Sequence, residues 1–108
     1  MASFVVTVQL SEKFREGYFK AIKDSQAGGD FVLPADITQS RESHNEYLEG
    51  LKAEGKLYCA GNFNDFSGAL FIFEGASEEE VHRIMQQEPH NQNGFFTNLE
   101  VKEWTHRF

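Results

Sequence analysis

The chain contains one cysteine, Cys59, so an internal disulfide and a cysteine metal cage are both excluded. Its four histidines, His44, His82, His90 and His106, include no His-x-x-x-His pair, and no metal site is expected. No apolar run approaches the roughly 20 residues a membrane helix needs, so no membrane partner is expected. The start, Met-Ala-Ser-Phe-Val-Val, lacks the basic region of a signal peptide, which makes a cytoplasmic protein the expectation. Basic residues are scarce: ten Lys and Arg stand against 17 Asp and Glu, for a formal charge of −7. That field repels phosphate backbones and no basic cluster offsets it, so no nucleic-acid partner is expected. The serine elbow of hydrolases is missing. Gly28-Gly29 does not lead from a strand into a helix as a phosphate cradle requires. No organic cofactor is expected.

What is present is a core. Apolar residues make up 40% of the chain and eleven residues are Phe, enough for one folded domain spanning 1–108. Residues 3–10 alternate as a strand, with Phe4, Val6, Val8 and Leu10 on one face. Residues 11–25 read as a helix capped by Ser11, with Phe14, Tyr18, Phe19 and Ile22 near helical spacing. Residues 30–38 read as an irregular connection, or at most a short strand broken by Pro34, and so long a connector is often functional or a lid. A helix is predicted over 39–54, closed by Gly55. Strands at 56–63 and 69–74 flank the turn Asn64-Asp65-Phe66-Ser67-Gly68 as a hairpin. Ser77 and Glu80 form a capping box that opens a helix over 77–87, and a last strand covers roughly 95–104.

With the first helix set aside as an insertion in 11–38, the order is βαββαβ. This is the α+β, ferredoxin-like arrangement, with two helices on one face of a four-stranded antiparallel sheet. The 69–73 strand is apolar on both faces: Ala69, Phe71 and Phe73 on one, Leu70 and Ile72 on the other. A sheet apolar on both faces needs two covers. A second copy is the simplest second cover, so a homodimer through sheet faces is expected.

His44 shares a helix face with Tyr47, Leu48 and Leu51. An imidazole there is either a structural polar group or a general acid/base suited to neutral pH. Glu88 continues the buried face of Val81 and Ile84, where a carboxylate needs a partner; alternatively it is a solvated helix end before Pro89. In a βαββαβ unit the two helices run side by side. The start of one and the end of the other then fall at opposite ends of the sheet, which argues against a direct His44–Glu88 contact. Arg41 is either an anion clamp or a surface charge. Tyr47 could offer a hydroxyl to a ligand or sit at the core edge. His90 lies in the loop after Pro89, within reach of a pocket or in solvent.

The order of several short motifs resembles the YciI-like (YCII-related) family of the dimeric α+β barrel superfamily. They are Arg41-x-x-His44-x-x-Tyr47-Leu48-x-x-Leu51, Gly55-Lys56-Leu57, Ala60-Gly61, Gly68-Ala69-Leu70, the Ser77-x-Glu79-Glu80 helix start, and Glu88-Pro89 before Gly94-Phe95-Phe96, with Trp104 near the end. The resemblance implies a dimeric α+β barrel, with a histidine and an acidic residue in a pocket. It also implies chemistry on small, sometimes aromatic, compounds without a cofactor. The family usually has Asp-Pro where this chain has Glu88-Pro89. The combined expectation is a homodimeric acid/base enzyme for a small organic ligand. His44 and Glu88 are its catalytic candidates, and Arg41, Tyr47 and His90 its substrate-binding candidates. The alternative is a non-catalytic small-ligand-binding or regulatory dimer.

Overall fold

Alternation decides the strands. A computed structural model describes residues 2–108. In it β1 (Ser3–Leu10) buries Phe4, Val6, Val8 and Leu10 and leaves the residues between them partly or fully open. β2 (Leu57–Asn62) and β3 (Gly68–Glu74) form the hairpin, and β4 (Phe96–Trp104) closes the sheet. The strand order is β2-β3-β1-β4 and every pairing is antiparallel. This is the ferredoxin-like α+β sheet. Phe4 lies opposite Phe73, Val6 opposite Phe71 and Val8 opposite Ala69, so one continuous apolar face meets the helices. On the other face Val5, Leu70 and Ile72 stay half-buried.

Helix α1 (Glu12–Gln26) starts where predicted: the Ser11 hydroxyl accepts the Phe14 N–H at 3.3 Å. Helix α2 runs Ala35–Ala53, four residues earlier than the pattern predicts, and this removes the supposed lid. Pro34 precedes the helix rather than breaking it, a place where its missing N–H costs nothing. Asp36 sits in the first turn, which favours negative charge. Ile37 is the anchor: it is fully buried and closes against Gly17 of α1.

Helix α3 (Glu78–Gln87) is capped by the Ser77 hydroxyl, which accepts the Glu80 N–H at 3.1 Å. Only half the capping box forms, because the Glu80 carboxylate pairs with Lys56 at 3.0 Å instead. The expected loop after Pro89 is a short helical turn, α4 (Pro89–Gln92), which packs against α2. Among the described residues no helix is long and apolar enough to cross a membrane.

Candidate functional site

The site is built where α4 folds back over the middle of α2. His44 falls near the centre of that nineteen-residue helix because α2 begins at Ala35. Glu88 lies in the bend between α3 and α4, and Pro89 turns the chain there. The two side chains meet: His44 Nδ1–H donates to Glu88 Oε1. The expected separation is thus corrected. It assumed a later start for α2 and no α4, and both assumptions put the residues too far apart.

Glu88 is fully buried. Its second oxygen, Oε2, accepts the Asn91 N–H at 3.1 Å and so caps α4. Asn91 in turn donates its side-chain amide to the Met85 carbonyl at 2.8 Å, closing the bend. One carboxylate therefore both shapes the α3–α4 bend and fixes the ring of His44. A buried carboxylate is tolerated only with such partners.

His90 lies on α4 and is 4% exposed, not solvated as a loop residue would be. Its ring stacks on that of His44, with centroids 4.1 Å apart and planes at 21°. Its Nδ1 is 2.7 Å from the Ser40 hydroxyl, and Ser40 also accepts the Asn93 amide N–H at 2.9 Å. Burial, then repulsion from His44 whenever that ring is protonated and from the Arg41 charge, push His90 down to about 3 from the ordinary 6.5. Ser40 was not singled out from sequence. It shares a helix face with His44 at i, i+4, and that spacing is the one signal that could have found it.

Both histidines line a cavity of about 340 Å³. Its polar wall adds Arg41 and Asn45 of α2 and Asn62 of β2, and Phe14, Tyr18, Phe66 and Phe96 supply aromatic faces. The Tyr18 hydroxyl is raised in pKa by burial, which the Arg41 charge partly offsets. A second lobe of about 200 Å³ shares His44, Asn45, Asn62 and Phe96 with the first. A separate polar cleft of about 460 Å³ opens beyond Ser40 among Lys13, Asp36 and Asn93, and carries neither histidine.

Of the five residues singled out from sequence, the cavity brings together His44, His90 and Arg41, with Glu88 directly behind His44. Tyr47 is placed elsewhere. Its hydroxyl donates to the Ile84 carbonyl at 2.8 Å and ties α2 to α3. Burial and the nearby Glu88 charge raise its pKa.

The arrangement can do acid–base chemistry. A neutral His44 with its hydrogen on Nδ1 keeps a lone pair on Nε2, and the carboxylate behind it would stabilise the imidazolium formed on proton uptake. Among the described residues no group of three His, Cys, Asp or Glu side chains is placed to hold a metal ion.

The model of the YCII-related domain matches residues 18–105. Uncharacterized protein YjpA of Bacillus subtilis (strain 168) is 36% identical over 61 residues, which are 56% of this chain and 71% of that protein. A solved structure of 5-chloro-2-hydroxyhydroquinone dehydrochlorinase from Burkholderia phenoliruptrix AC1100, in complex with 2,5-dihydroxybenzoquinone, has a TM-score of 0.62. It is 23% identical, with 97% of this chain and 95% of that one covered, so the likeness is one of fold.

Proposed function

We propose a function from one established premise: the chain belongs to the YCII-related family. It is a small-molecule enzyme in which His44 removes a proton from a hydroxylated aromatic ring. The observation that carries this is the pair His44–Glu88, with a fully buried carboxylate fixing the ring of a histidine that lines a cavity. General base catalysis needs that oriented imidazole and is worth roughly 100- to 10,000-fold. Arg41 supports an oxyanion as ligand, because a guanidinium offers paired donors to it. The rings of Phe14, Phe66 and Phe96 suit a flat apolar body. The related dehydrochlorinase, by its name, works on a chlorinated hydroxyhydroquinone, which supports the same class here. In such an elimination His44 takes a proton, the ring electrons reorganise, and an anion leaves a ring carbon. The sum is loss of HX with no net oxidation, so no cofactor is needed. The protein works as a homodimer through the open sheet face that carries Val5, Leu70 and Ile72.

The test is turnover of hydroxylated aromatics that carry a leaving group, followed by anion release, with 2,5-dihydroxybenzoquinone as a binding probe. His44→Gln is expected to fold, to bind the probe, and to lose turnover by about 100-fold or more. A variant as fast as the wild type sinks the assignment. A probe that raises the melting temperature, with no member of the panel ever consumed, would instead make this a binding module.

A further inference from the structure

The two stacked histidines are held in the same way by different partners. Each gives its Nδ1 to the protein, His44 to Glu88 and His90 to Ser40. The partner decides where the proton sits. Glu88 as a carboxylate only accepts, so His44 carries hydrogen on Nδ1. Ser40 already accepts the Asn93 amide N–H, which leaves its own hydrogen to be placed, and we assign that hydrogen to His90 Nδ1, the acceptor 2.7 Å away. The neutral His90 ring then carries its hydrogen on Nε2. That nitrogen has no hydrogen-bond partner among the described residues, yet it is not sealed in. Among the described residues the buried side-chain polar atom without a partner is Arg15 Nε, and His90 lines the cavity. An N–H on a ring fixed by burial, by stacking and by Ser40 therefore opens beside the lone pair of His44.

We infer that His90 is a second site histidine, held by Ser40 and Asn93 as its Nε2–H tautomer so that it donates a hydrogen bond to an oxygen of the ligand on which His44 acts. This rests on the acid–base reading of the cavity given above. Its chemistry complements that of His44. One imidazole takes a proton while its neighbour steadies the negative charge left on oxygen. Stacked rings with opposite hydrogen placement are what such a division of labour needs. The surroundings keep His90 uncharged. Arg41 and His44 face it from α2, Tyr18 shares its cavity from α1, and Phe96 meets its ring edge-on from β4. Glu88 lies at the head of its own helical turn and is engaged by His44 and Asn91. Burial first, and the nearby Arg41 charge with it, hold the ring neutral across the physiological range. Ser40 and Asn93 are positioning residues in this scheme.

Long-range 15N–1H correlation spectra of the histidine rings test it without a substrate. In the wild type from pH 5 to 8, His90 is expected to show hydrogen on Nε2 only and no titration. A hydrogen on Nδ1 or a protonation step in that range overturns the inference and leaves the role of His44 standing. Ser40→Ala is expected to release His90 into a mixture of tautomers while the melting curve stays cooperative; an unchanged tautomer removes Ser40 from the scheme and overturns it. The hydroxyquinone probe should shift the His90 Nε2–H resonance. If His44 responds and His90 does not, the donor role is lost, and if neither responds the acid–base reading falls with it. His90→Phe keeps an aromatic ring and loses the donor. It is expected to weaken probe binding about tenfold, and unchanged binding overturns the proposal.

Discussion

Glu88 concentrates several duties in one side chain, and its variants separate them. Glu88→Gln keeps the shape but removes the charge and leaves only one of the two acceptor oxygens. With that oxygen on the Asn91 N–H, its amide donates to His44 Nδ1, which moves the His44 hydrogen to Nε2. The variant is expected to fold, with modest loss of stability, and to lose most of any turnover that depends on His44. Glu88→Ala leaves His44 Nδ1 and the Asn91 N–H without their acceptor in a buried place and is expected to cost about 3 kcal/mol in urea unfolding. A loss of that size in Glu88→Gln would show that an amide cannot stand in for the carboxylate at this bend. His90 adds a pH dependence. Unfolded, its imidazole takes a proton near pH 6.5; folded, it does so only near about 3. Between those values the unfolded chain binds more protons, so stability falls as pH falls. The slope from this group reaches about 1.4 kcal/mol per pH unit, and above pH 6.5 it vanishes. Unfolding free energies at pH 7, 6 and 5 should show this decline in the wild type and a shallower one in His90→Phe. Parallel slopes would mean His90 is protonated in the fold.

At the scale of elements, Gly68 is a place where the sheet admits no side chain. It opens β3 opposite Gln9, and a Cβ added there would lie 2.2 Å from the Val8 carbonyl oxygen. That neighbour is backbone in the middle of the sheet and cannot step aside. Gly68→Ala is therefore expected to destabilise by about 2 kcal/mol or more, read as a shifted urea midpoint with an unchanged slope. Gly50, whose Cβ would meet nothing, is the control. The strands were legible because a period of two and turn residues carry their own signal, and β1 and β3 fall where alternation puts them. Helix α2 was misread at its start because Pro34 looks like a breaker until Ile37 is seen packing on Gly17. Turn α4 has only four residues and no periodicity to betray it. Those two misreadings hid the meeting of His44 and Glu88, which depends on the start of one helix and the existence of the other. Ser40 shows only its i, i+4 spacing to His44; its partner, His90, lies fifty residues away, and no pattern in the sequence marks that bond.

For the whole molecule, the sheet divides two tasks between its faces. Ala69, Phe71 and Phe96 point toward the helices and line the lobe beside His44. Leu70 and Ile72, one residue out of phase, point the other way with Val5, which pairs with Ile72 across the β1–β3 ladder. Along the β4 edge of that second face, Glu100 lies opposite Thr7 and Lys102 opposite Val5, giving an apolar centre with a charged margin. Interfaces between copies have that build, and a self-complementary patch closes as a twofold dimer. Light scattering at micromolar concentration should therefore give about twice the chain mass of 12.3 kDa. Ile72→Asp places a charge at the centre of the patch, where pairing would bury it without a partner, and is expected to shift the mass to that of one chain. Because Ile72 points away from the helices, the ring signals of His44 and His90 should keep their wild-type positions in that monomer. A wild type that already runs as a single chain removes the sheet-face dimer. A monomeric variant whose histidine signals collapse would show instead that pairing and the cavity are one structure.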